Sequence, residues 1–268
     1  MLMLFGVCAS ILPGFGPRGV GEIARGLKAL GFDYVELPVM NLMELEDRQF
    51  FELVEQPLKE SGLPCPRMNS FLPASQRLTG PEARLDEAMA FARLAFARAE
   101  RLGTKVIVFG SGGARNRPLG FPREQGFAQL ADFLRSIAPL AAGHGISLAV
   151  EHLNRLESNL INSYREACAL AEAAGQDNVG PLLDSYHLGL SNEPLEEIKA
   201  CGRPPLHAHT ARTLGRGMPC PGDEEDYGLL LRTLRAAGYD GTLSVEGYAR
   251  ADWREEAALA LRTLRAAL

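Results

Sequence analysis

The sequence predicts an α/β fold: a closed (β/α)8 barrel of the TIM type, with residues 1–268 forming a single domain. Three observations lead there. Short apolar runs alternate with longer segments of helical period, the pairs number eight, and the composition does not shift between them. Regular strand–helix alternation builds a parallel sheet, and eight units close one. The 268 residues match the roughly 250 that such a barrel takes. With 46% hydrophobic and 23% charged residues, the chain can fill a large core as a soluble globular protein.

Taken in order, strands are expected at 4–10, 34–39, 66–72, 105–111, 147–153, 179–185, 205–211 and 242–247. The opening "MLMLFGVCAS" is apolar but lacks a basic leader and is too short for a bilayer, so it reads as the first strand. The turn after it, "ILPGFGPRG", does not fit G-x-G-x-x-G, which argues against an open doubly wound sheet. Ahead of the fourth strand, "LDEAMAFARLAFARAERLG" (85–103) carries apolar positions at helical spacing and ends on glycine. "FAQLADFLRSIAPLAAGHG" before the fifth strand and "EEDYGLLLRTLRAAGYDG" before the eighth repeat the pattern. No run is long enough to cross a bilayer, so a cytoplasmic protein with no membrane partner is expected. Five cysteines (Cys8, Cys65, Cys168, Cys201, Cys220), an odd number without CxxC pairing, suggest a reducing compartment and no disulfide framework. The net charge of −5 argues against a nucleic-acid partner.

Chemistry shows at the strand ends. A buried parallel strand normally excludes carboxylates, yet "ISLAVE" finishes on Glu151. Residues of a barrel strand alternate between helices and axis. Leu148 and Val150 facing out turn Glu151 inward; Leu183 out places Asp184 in. Leu206 and Ala208 out leave His207 and His209 inward, and Leu243 and Val245 out leave Glu246 inward. Each lies near the C-terminal end of its strand, where barrel enzymes carry their chemistry. Glu151, Asp184, His209 and Glu246 would therefore ring one point on four consecutive strands. One such acid alone could end its strand in solvent or beside an arginine. Three carboxylates at matching depth repel and desolvate one another unless a cation sits among them. With one imidazole they suit Mn²⁺ or Mg²⁺, and Co²⁺ and Zn²⁺ are also compatible.

The blocks "VEHLNRLESNLINS", "LLDSYHLG", "HAHTARTLGRGMPCPG" and "GYDGTLSVEGY" resemble the xylose isomerase-like TIM barrel superfamily of sugar phosphate isomerases and epimerases. The likeness is closest to its D-tagatose/D-psicose 3-epimerase branch. It implies an enzyme with one divalent metal ion and a small-molecule sugar substrate. By the resemblance, Glu151 of E-x-x-N-R-x-E binds metal and Glu157 contacts substrate; Asp184 binds metal and His187 contacts substrate. The second histidine of H-x-H, His209, binds metal, Arg216 before the Pro-Gly turn contacts substrate, and Glu246 closes the site. "RGMPCPG" is longer than the family's R-x-x-P-G, and "FGSGGARNRPLG" (109–120) differs from the loop that covers the substrate with an aromatic residue. The implied substrates therefore extend to ketose derivatives. Barrels of this branch often pair through helices on one side, so the resemblance leaves a homo-oligomer open.

Moving a proton on a carbon beside a carbonyl requires stabilising an enediolate, which a metal on the oxygens does, and a carboxylate within reach of the carbon. Glu151 and Glu246 as catalytic bases on opposite faces would invert that carbon, which is 3-epimerase chemistry. A single usable base gives the alternative, an aldose–ketose or hydroxypyruvate-type isomerase. A nuclease of this barrel class would need extra histidines at the third and fourth strand ends, which read "RMNSF" and "VFGSG". An intact ligand set also argues against a non-catalytic sugar-binding barrel. Glu157 has a competing surface role beside Arg155. His144 and His152 are expected to be structural, and His207 a core or supporting residue one layer below His209. Asn69 and Ser111 could line the pocket, "GSGG" could cradle a phosphate, and Trp253 is expected to pack the last helix.

Overall fold

The computed structural model describes residues 3–250 and 252–268; Met1, Leu2 and Ala251, which the single-domain expectation includes, lie outside the described residues. Eight parallel strands close a barrel in chain order: β1 (Leu4–Cys8), β2 (Tyr34–Pro38), β3 (Arg67–Asn69), β4 (Val106–Phe109), β5 (Ser147–Glu151), β6 (Val179–Asp184), β7 (His207–Thr210) and β8 (Thr242–Val245). β8 returns to pair with β1. Each strand is where the sequence places it but ends one to three residues earlier. The last polar residues leave the ladder to enter the loops of the C-terminal rim. Glu246 lies just past β8, yet its N–H still donates to Thr210 O at 2.9 Å.

Strand alternation sorts the core into two layers. Val35, Leu37, Ile107, Phe109, Leu148, Val150, Leu183, Ala208, Leu243 and Val245 pack outward in the large helix–sheet core. Val106, Val108, Ala149 and Leu182 form a small inner group. Leu206, expected to face the helices, packs against that inner group instead, because it precedes β7 and has not entered the strand's alternation. The helix Leu85–Arg101 buries the small side chains of Ala88, Ala92, Ala95 and Ala99, and with them the large ring of Phe96. Side-chain caps open later helices: Ser163 accepts from Glu166 N, Asp226 from Leu229 N and Asp252 from Arg254 N. Trp253 is buried and packs on Gly26 of the helix Val20–Leu30.

One expectation is corrected. Cys168, in the helix Tyr164–Ala174, and Cys201, ending the 3₁₀ segment Leu195–Cys201, are joined as a disulfide with Cα atoms 5.4 Å apart. The two segments lie side by side outside the barrel, a proximity that a sequence separation of 33 does not announce. Cys8, Cys65 and Cys220 stand unpaired. Among the described residues, no helix is long and apolar enough to cross a membrane.

Candidate active site

Glu151, Asp184, His209 and Glu246 come together, each offering a ligand atom within 4.8 Å of the others. His209 Nδ1 lies 3.1 Å from Glu151 Oε1 and 3.5 Å from Glu246 Oε2. Local structure aims each group. Glu151 ends β5, and the buried Arg115 pins that end by donating from Nη1 to Glu151 O (2.7 Å) and Phe109 O (3.0 Å). Asp184 ends β6 and caps the following helix: its Oδ1 accepts from Tyr186 N at 2.8 Å, while Oδ2 is buried without a hydrogen bond, 3.5 Å from His187 Nε2. Glu246 is held at both oxygens, with Asn69 Nδ2 donating to Oε1 (3.0 Å) and Arg216 Nη2 to Oε2 (2.7 Å).

Electrostatics match the crowding. Burial raises the Glu151 carboxyl, with the Glu246 and Asp184 charges adding to it and His209 opposing. Burial likewise takes Asp184 up to about 6. Desolvation pushes the partly buried Glu246 the same way, but His209 and Arg216 outweigh that and hold it down at about 2. Burial disfavours the His209 cation, yet Glu36, Cys8 and Glu246 lift it well above its ordinary value. So much buried negative charge calls for a cation. The fit to a divalent ion rests on the donor set itself, three carboxylates and an imidazole, and on Asp184 Oδ2, buried without a hydrogen bond.

Above the cluster lies a cavity of about 430 Å³, lined by Ile11, Met40, Asn69, Ser70, Ser111, Glu151, Leu153, Glu157, Arg216, Glu246 and Tyr248 among others. A wider groove of about 760 Å³ lies beside it around Arg155, Arg165 and Asn192 but is lined by none of the four clustered groups. The chemistry therefore belongs to the smaller cavity. Ser70 and Ser111 line it with left-handed backbone (φ 47° and 39°), conformations kept where surroundings over-determine them. Ser111 Oγ accepts from Leu72 N at 3.0 Å and ties the two loops together.

The expected substrate contacts converge as well. His187 is buried, and its Nδ1 accepts from Asn154 N (3.2 Å), so Nε2 carries the proton; it has no hydrogen-bond partner. Glu157 does not pair with Arg155. Its Oε1 accepts from Asn154 Nδ2 (2.9 Å) and Arg216 Nη1 (3.3 Å), because the loop after β5 folds inward over the site. Arg216 bridges Glu157 and Glu246 with its guanidinium 4.6 Å over the Tyr186 ring. His144 bonds Glu100 at 2.7 Å, and His152 packs edge-on between Tyr164 and His187. His207 sits beneath it, bonded to Glu36 at 2.9 Å. Reading from the sequence assigns no role to Glu36, Arg115 or Asn154 and offers Gly110 only within the phosphate-cradling "GSGG"; Asn69 and Ser111, read as possible pocket residues, do line the cavity. For Glu36 a signal existed, since it has inward parity in "YVELP".

Residues 24–267 match the family described as xylose isomerase-like TIM barrel. The chain is 26% identical over 250 residues to a D-psicose 3-epimerase of Agrobacterium fabrum, covering 88% of this chain and 80% of that one. It is 28% identical over 248 residues to the 3-dehydro-D-guloside 4-epimerase of Escherichia coli, covering 89% and 90%. The crystal structure of a D-allulose 3-epimerase from Methylomonas sp. superposes with a TM-score of 0.88 at 20% identity, over 100% of this chain and 98% of that one.

Proposed function

The chain belongs to the xylose isomerase-like TIM barrel family, and from that premise we propose that it is a divalent-metal-dependent sugar epimerase of the 3-epimerase type, acting on a ketose or ketose derivative. The observation that carries the reading is the pair of carboxylates, the buried Glu151 and the partly buried Glu246, lining one cavity beside Asp184 and His209. Its relatives include enzymes named for D-psicose and for 3-dehydro-D-guloside, a free ketose and a glycoside.

Glu151, Asp184, His209 and Glu246 would hold the ion, which when bound neutralises charge developing on the substrate oxygens. One carboxylate takes the proton from the carbon beside the carbonyl, and the other returns a proton to the opposite face, so that carbon inverts. Asn69 and Arg216 fix the Glu246 carboxylate for that exchange. His187, whose Nε2–H lies 3.5 Å from Asp184 Oδ2 without a hydrogen bond, would turn it to a substrate oxygen, and Glu157 and Arg216, which line the cavity, engage hydroxyls at the mouth. Ile11, Met40 and Leu153 supply apolar walls that limit water. We read the ion as Mn²⁺ and residues 1–268 as one domain. A cytoplasmic address is supported by the three unpaired cysteines and opposed by the Cys168–Cys201 bond. A homo-oligomer belongs to the same reading and is tested by sedimentation.

One observation favours the alternative, a single-base aldose–ketose or hydroxypyruvate-type isomerase: both Glu246 oxygens are already engaged, which leaves Glu151 the freer base. A ketose panel with added Mn²⁺ in D₂O separates the two. Deuterium entering at C3 with inversion supports the epimerase, and migration of the carbonyl supports the isomerase. Glu246→Gln should fold and lose turnover; full activity in that variant would remove Glu246 from the mechanism.

A further inference from the structure

We propose that Glu36 is a positioning residue that fixes the proton on Nε2 of His209 and thereby presents Nδ1 to the metal. This rests on the metal site proposed above. Glu36 lies in the middle of β2 and is 0% exposed, where an unpaired carboxylate would be severely desolvated. Each oxygen instead has partners. Oε1 stands 3.1 Å from His209 Nε2; Oε2 stands 2.9 Å from His207 Nε2 and 2.5 Å from Ser244 Oγ.

The bonds made to Glu36 have a fixed direction, because a carboxylate only accepts. His207 Nδ1 lies 2.8 Å from Thr242 Oγ1 and 3.1 Å from Thr242 O, and its Nε2 faces the Glu36 carboxylate, which can only accept. His207 then donates to Glu36 through Nε2. The Ser244 hydroxyl gives its hydrogen to Glu36 and accepts from the Tyr34 hydroxyl at 2.7 Å. A carboxylate has no hydrogen to return, so His209 Nε2 must be the donor at Oε1. Its other nitrogen, Nδ1, faces Glu151 and Glu246 at 3.1 and 3.5 Å; these are also acceptors, so Nδ1 too carries a proton here, and it is this proton, not the one held by Glu36, that a bound ion would replace. Partners that set the tautomer of an imidazole ligand are commonly worth about 10- to 100-fold in metal affinity.

Glu36→Gln keeps the shape but replaces one acceptor with an NH₂ group, which must then oppose the N–H of His207 or of His209. Chelator competition with Mn²⁺ should show binding weakened about 10- to 100-fold in the folded variant. Glu36→Asp, which retains both acceptors, should recover part of the loss. A merely structural role would lower the melting temperature and leave the Mn²⁺ constant of folded Glu36→Gln unchanged; that result overturns the inference. Should the variant not fold, ¹⁵N-histidine NMR of the wild-type protein loaded with Zn²⁺ decides, because a His209 Nε2 without its proton is incompatible with the proposal. Wild-type protein that takes up no Mn²⁺ sinks the proposed function and this inference together. Wild-type uptake with an unaltered variant sinks the inference alone.

Discussion

Gly110 should be a residue whose replacement damages the chemistry and spares the fold. It follows β4 and backs onto the Glu151 carboxylate, so that a Cβ built there meets Glu151 Oε2 at 2.1 Å. Non-bonded heavy atoms settle at about 3.5–4 Å, so the oxygen must retreat by more than about 1 Å. That atom is the far end of a flexible side chain, and Gly110 does not have left-handed backbone. Gly110→Ala therefore strains no main chain, and it removes unfolded-state freedom worth about 0.4–1 kcal/mol. The melting temperature should hold or rise slightly. The site should not fare as well, since a group misplaced by about 1 Å can cost about 10²-fold in rate, or about 2.7 kcal/mol of transition-state stabilisation. Initial rates on the ketose identified by the panel, Mn²⁺ competition and a thermal melt read the three quantities separately. A Gly110→Ala protein with wild-type rate and Mn²⁺ affinity would refute the placement of Glu151 at the reacting centre.

Arg216→Lys keeps a charge but loses the fork that spans Glu246 and Glu157 at 2.7 and 3.3 Å; kcat/KM should fall about 10- to 100-fold, and an unchanged value would show that the fork does not orient Glu246. Cys65, almost fully buried, has its thiol pushed up to about 12 by burial, against 9.0 for the free side chain. The folded protein keeps this proton while the unfolded chain releases it, so stability is complete below about pH 9 and is lost as pH rises toward about 12, on the order of 4 kcal/mol. Cys65→Ser should flatten the alkaline limb of a pH–stability curve relative to wild type, and superimposable curves would remove this thiol from the account. Breaking Cys168–Cys201 frees a loop whose ends are 33 residues apart, which the chain-entropy relation values at about 4 kcal/mol. Reduction should therefore lower the melting temperature measurably, and thiol titration of the unreduced, denatured chain should find only Cys8, Cys65 and Cys220; five reactive thiols would contradict the bond.

Much of the site was legible because alternation along a strand is a local property. Once Leu148 and Val150 face the helices, Glu151 can only face the axis, and the same step delivers Asp184, His209 and Glu246. What alternation lacks is stagger. Glu151 pairs with Leu182, whereas Asp184, two residues further along the same strand, pairs with His209. The four groups are thus not level along the ladder, and the tilt of strands in a closed barrel brings them to one point. Residues whose role depends on that tilt stayed hidden. Glu36 has inward parity but sits mid-strand, and only closure places it under His209, 173 residues away. Asn69 ends a three-residue strand and reaches Glu246 across 177 residues. Arg115 follows "GSGG" and reads as a solvent loop, yet the turn buries it completely against the ends of β4 and β5. The reacting groups follow from period two within a strand, and the residues that aim them follow from register between strands, which no single segment encodes.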